Sequence, residues 1–119
     1  MLAAAAGVGI GVHVLLSLAI YLLAASLFDN PPTLGEHLII VPLSMVAGGV
    51  PLTPGGLGTF EGAMQKLYEL LPLVPRDYGI LVALAYRLIT ILVAAVGVVY
   101  YWSARRQVME VLEEADAST

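Results

Sequence analysis

Residues 51–61 read Pro-Leu-Thr-Pro-Gly-Gly-Leu-Gly-Thr-Phe-Glu (PLTPGGLGTFE), and they close a run, Leu38–Phe60, that contains no Asp, Glu, Lys or Arg. Such a run is apolar enough for a bilayer, yet it holds Pro42, Pro51 and Pro54 together with Gly48, Gly49, Gly55, Gly56 and Gly58. Proline lacks a backbone N–H and glycine loses the most entropy on ordering, so both interrupt helices. Non-helical backbone at membrane depth is tolerated only where protein buries it or where it lines a wet cavity. The segment therefore reads as two half-length helices, 38–50 and 59–71, joined by a Pro/Gly turn. At about 1.5 Å per residue each half reaches roughly 20 Å, short of the ~30 Å hydrocarbon core. This predicts a re-entrant hairpin over 38–71, entering and leaving on one side.

Outward from the hairpin lie two longer apolar blocks. Leu2–Phe28 carries no formal charge, and Gly79–Trp102 carries one, Arg87. Both exceed the roughly 20 apolar residues that a spanning helix needs. Across the 119 residues 60% are hydrophobic and 12% charged, against roughly a quarter charged in soluble domains. The expected fold is thus an all-α integral membrane protein, with two transmembrane helices flanking a broken, re-entrant helical hairpin. A membrane domain over 1–106 comprises span 2–28, hairpin 38–71 and span 79–102; a short tail, 107–119, extends the last helix briefly and then frays. A signal peptide would need a positive start and an apolar stretch of roughly 7–15 residues; here no Lys or Arg precedes the first block.

Arg105 and Arg106 follow the interfacial group Tyr100-Tyr101-Trp102, so the positive-inside rule puts the C-terminus in the cytoplasm. The loop 29–37 then lies outside with the hairpin roots, and it has no Lys or Arg. The net charge of −4, with no basic face, argues against nucleic acid as a partner. There is no cysteine, which excludes thiolate chemistry.

Pro51 and Pro54 end the first half-helix, and Gly55, Gly56 and Gly58 permit positive φ and close approach to the main chain. The second half-helix starts near Thr59, where its first amide N–H groups have no intrahelical acceptor. A helix start inside a membrane protein can receive an anionic group; a plain tight turn between packed helices is the other reading. Glu61, at the third helical position after Gly58, can fold back on the Gly58 N–H as half a capping box, or bind a proton, a cation or an amino head group. A central Arg in a span costs roughly 2.5–3.5 kcal/mol on insertion scales, so Arg87 needs a partner. Ala83, Arg87, Thr90, Ala94, Gly97 and Tyr101 form one small and polar stripe, read as the packed face. Arg87 either pairs with Glu61 or forks onto a lipid phosphate.

In the first span His13, Ser17 and Tyr21 share a face, and Gly7 and Gly11 form a GxxxG pair beside it. Packing with interhelical hydrogen bonds is the reading for both. His13 and His37 have no acidic pair at ligand spacing, so no metal site is expected. No nucleophile–base grouping is visible, and the glycines follow no strand and precede no phosphate-loop lysine.

Pro54-Gly55-Gly56-Leu57-Gly58 and Glu61, with Arg87 in the next apolar span, resemble the transmembrane domain of lysylphosphatidylglycerol synthases/flippases and related multi-pass proteins. Pro51 and Ala83 also match the pattern. The resemblance implies a bacterial or archaeal cell-membrane protein that moves or helps make charged lipids or lipid-linked sugars. Its candidate lipid head-group residues are Pro54, Gly55, Gly56, Gly58, Thr59, Glu61 and Arg87. The resemblance covers the C-terminal portion of the family's domain, so the chain reads as a fragment of a larger multi-pass domain. Its expected partners are membrane lipids and further transmembrane helices or a second copy, with no cofactor. No soluble aminoacyltransferase domain is present, so aminoacyl transfer is not expected. A structural membrane subunit and a membrane enzyme of lipid or polyprenyl-phosphate metabolism are the alternatives.

Overall fold

A computed structural model describes all 119 residues, and it contains helices and turns but no strand. In chain order these are α1 (Leu2–Leu27), α2 (Leu34–Gly48), a single 3-10 turn (Pro54–Gly56), α3 (Thr59–Glu69) and α4 (Tyr78–Ala117). The fold is all-α, and α1 and α4 are long and apolar enough to cross a membrane. Between them stand two shorter helices separated by the Pro/Gly turn.

The short helices are displaced from the expected bounds for local reasons. α2 begins at Leu34 rather than Leu38 because Thr33 caps it. The Thr33 hydroxyl accepts the Glu36 N–H at 3.3 Å and the Glu36 carboxylate accepts the Thr33 N–H at 2.6 Å, a complete capping box. α2 also continues through Pro42, which removes one backbone bond without ending the helix. At the other end α3 stops at Glu69, two residues before the expected limit.

The chain divides into two compact units, 1–86 and 87–119. In the first, α2 packs on both α1 and α3. Its core is formed by Ile20 and Ala24 from α1, Ile40 and Val41 from α2, Phe60, Met64 and Tyr68 from α3, and Val82 and Ala83 at the start of α4. Because lipid tails are as apolar as these side chains, close packing and polar contacts hold such helices together rather than expulsion from water. Gly79 sets the closest approach. A Cβ there would lie 2.7 Å from Gln65 Cα and 2.8 Å from the Met64 carbonyl oxygen, so α4 meets the α3 backbone directly. Phe28, just past α1, stacks on Tyr78 at the head of α4, with ring centroids 3.5 Å apart and planes 10° apart.

The packed face of α1 differs from expectation. Ser17, Ile20 and Ala24 are buried and Tyr21 is half-buried, whereas His13 is exposed. Ser17 donates to the His13 carbonyl within the same helix, at 2.7 Å, so the expected interhelical bond is not made there. Gly7 and Gly11 face open space within this chain. A partner's position, which periodicity does not reveal, decides which stripe is covered.

The second unit, Arg87–Thr119, is the remainder of α4 and its last two residues. The helix does not fray at Gln107 but runs to Ala117. No Gly or Pro follows Gly97, and Gln, Met, Leu, Glu and Ala in this stretch all favour helix.

Candidate functional site

The turn between α2 and α3 is built from main-chain conformations that only glycine adopts cheaply. Gly55, Gly56 and Gly58 have φ of 68°, 67° and 87°, as their positions in the sequence suggest. At Gly55 and Gly58 the space around a would-be Cβ is open, so glycine is needed there for conformation alone. At Gly56 a second constraint applies: a Cβ would run into the Gly48 carbonyl oxygen. The C-terminal end of α2 thus rests directly on the turn.

Side chains fix the rest of the loop. Thr53 Oγ1 donates to the Leu57 carbonyl at 2.6 Å, and Thr59 Oγ1 donates to the Gly56 carbonyl at 2.9 Å. The Glu61 carboxylate accepts the Gly58 N–H at 2.8 Å. Glycine has no side chain to complete the exchange, so this is half a capping box, and the first turn of α3 gains a negative charge at its positive end. Glu61 is itself buried, as is Phe60 beside it, whereas Pro54, Gly55, Leu57 and Gly58 are exposed and Gly56 and Thr59 half-buried. The six candidate residues from Pro54 to Glu61 therefore form one continuous structure. Gly56 and Glu61 each engage further partners, and so does Arg87.

Arg87 opens the second unit and is half-buried. Its carbonyl accepts the Thr90 hydroxyl at 2.8 Å. Along the expected small and polar stripe Ala83 is buried and Arg87 and Thr90 half-buried, but Ala94, Gly97 and Tyr101 are exposed. The stripe is covered within this chain only at its first turns.

Three other groups carry polar contacts that periodicity did not single out. His37 and Tyr68 are fully buried, and Nε2 of the imidazole lies 2.6 Å from the Tyr68 hydroxyl. This joins the root of α2 to the root of α3. Burial lowers the His37 pKa from its ordinary 6.5, against smaller opposing effects of the Thr33 carbonyl and the Glu36 charge. Burial also raises that of the Tyr68 hydroxyl. Gln65 clasps the α3–α4 junction: its Oε1 accepts the Ile80 N–H at 2.8 Å, and its Nε2 donates to Glu69 at 3.1 Å and to the Arg76 carbonyl. A Thr-x-x-Glu spacing at 33–36 was readable as a cap, but contacts between positions 37 and 68 or 65 and 80 leave no local signal.

Two long apolar helices, with two shorter helices and a glycine-built turn capped by a buried carboxylate between them in the chain, define an α-helical membrane protein. The chain belongs to the family described as the lysylphosphatidylglycerol synthase TM region, whose family model matches residues 1–97. Comparison with curated proteins gives no match, and comparison with solved structures gives none. Membership in this family and the two apolar helices place the protein in a membrane.

Proposed function

We propose that this protein takes part in translocating charged lipids or lipid-linked head groups across a bacterial or archaeal cell membrane. The observation that carries the reading is the turn 54–58, where three left-handed glycines keep side chains away from the main chain at the start of α3. In this reading α2 and α3 form a re-entrant pair whose roots lie outside, and the turn reaches membrane depth. Amide groups at a helix start and the positive end of its dipole favour an anionic group there. Arg87 supplies a planar fork suited to a phosphate. The C-terminus is cytoplasmic, following Arg105 and Arg106. Further transmembrane helices or a second copy cover the exposed glycine face of α1.

The test is lipid movement in vesicles reconstituted with purified protein, scored with a head-group-labelled phospholipid. Arg87→Lys keeps the charge but loses the fork. It is expected to slow lipid movement about tenfold, the effect of roughly 1.4 kcal/mol at the rate-limiting step, while the folded yield holds. Movement equal to that of the parent removes Arg87 from the reading.

A structural role is the second reading, favoured by the use of Glu61 as a cap. It expects Glu61→Ala and Arg87→Ala each to lower folded yield, with partial recovery in the double variant, and no lipid movement by the parent.

A further inference from the structure

We infer that His37 and Tyr68 form a proton-operated latch, which holds the roots of α2 and α3 together while the imidazole is neutral and releases them when it takes up a proton. This goes beyond lipid translocation and stands whatever the hairpin carries.

Both ring nitrogens of His37 are committed. Nδ1 lies 2.9 Å from the Thr33 carbonyl oxygen, which can only accept, so Nδ1 bears the hydrogen. Nε2 of the neutral ring is then an acceptor, and the Tyr68 hydroxyl donates to it at 2.6 Å. Protonation puts a hydrogen on Nε2 and reverses that bond, so the phenol hydrogen must turn away inside a fully buried site. A closed latch therefore disfavours the charged ring by desolvation, and it leaves the buried phenol hydrogen without its nitrogen acceptor.

The groups around the ring make opening the natural response. From α1, Tyr21 presents its ring edge to His37 at 5.6 Å; from α3, Tyr68 does so at 5.7 Å. On α2 itself the neighbouring charge is Glu36, and at the head of α4 Tyr78 is occupied by Phe28. Three neighbours of His37, namely Tyr21, Thr33 and Glu36, also line an open cavity of about 710 Å³ that holds Asp29 and no Lys or Arg, and that His37 and Tyr68 themselves do not line. Tyr21 and Glu36 thus border both the cavity and the buried ring. The carboxylate whose charge acts on the ring is Glu36, which favours an imidazolium, and no Lys or Arg lines the cavity to oppose it. The open arrangement binds the proton more tightly than the closed one, so acid favours opening by linkage.

The chain has no cysteine, so spin labels placed through Leu38→Cys and Leu70→Cys report the separation of the two roots in nanodiscs. With a freed imidazole at its ordinary 6.5 and the closed ring held below it, lowering the pH from 7.5 to 5.5 is expected to shift the population toward wider separations by up to about tenfold. His37→Gln is expected to abolish that response. Tyr68→Phe, which keeps the ring and removes the donor, is expected to broaden the distances already at pH 7.5. Nitrogen NMR of labelled histidine adds a readout in the parent: His37 should carry its hydrogen on Nδ1 and titrate below the ordinary imidazole range. A separation indifferent to pH, a response retained in His37→Gln, or a His37 hydrogen on Nε2 overturns the latch. If His37→Gln does not fold, Tyr68→Phe decides, and an unchanged distance at pH 7.5 sinks the proposal.

Discussion

Gly55 and Gly56 are adjacent and have nearly the same φ, yet their surroundings separate them. Replacing either by alanine forces a side chain into the left-handed region, which costs about 1–3 kcal/mol. At Gly55 nothing else is met, whereas at Gly56 the added carbon strikes the Gly48 carbonyl oxygen, part of the backbone. Gly56→Ala is therefore expected to lower the melting temperature in detergent clearly more than Gly55→Ala. Equal losses would mean that the turn has no close neighbour. The sequence exposes the conformational half of this contrast, because Pro54-Gly-Gly-Leu-Gly is a breaker cluster on any reading. It hides the steric half, since Gly48 approaches only after the chain has turned back. The same holds for Glu61: its spacing from Gly58 announces the cap, but not its burial beside Phe60.

Helices α1 and α4 announce themselves through long charge-free blocks, and the break between α2 and α3 through its prolines and glycines. Their boundaries were less legible. α2 starts early because of the Thr33–Glu36 exchange, and α4 outlasts expectation because nothing after Gly97 stops a helix. The α3–α4 junction was not legible at all. There Gln65 bonds the Ile80 N–H, one of the first-turn donors of α4 that has no intrahelical acceptor, while Gly79 lets the two backbones touch. Gln65→Leu fills similar volume but removes that bond, at a cost of about 0.5–1.5 kcal/mol. Hydrogen exchange should then rise at Ile80 and its neighbours, with the centre of α2 unaffected. Uniform exchange changes along the chain would deny Gln65 this local role.

At the scale of the whole molecule, composition and the charge-free blocks were enough to indicate a membrane protein, and the Pro-Gly-Gly-Leu-Gly pattern with Glu61 and Arg87 was enough to indicate its family. What they could not indicate is which distant positions meet, because pairs such as His37–Tyr68 and Phe28–Tyr78 depend on the path of the chain. The second of these pairs has a mechanical consequence. The ring of Phe28 lies on that of Tyr78, so residues 29–77 form a loop tied at its neck. Tension drawn between the two termini passes from α1 to α4 through this aromatic contact as well as through the packing of α1 on α2, α2 on α3 and α3 on α4. Under a steadily rising force the tied segment should stay folded and unextended until the neck yields, then pay out in one abrupt lengthening. Phe28→Ala should lower the force of that event and leave its length the same.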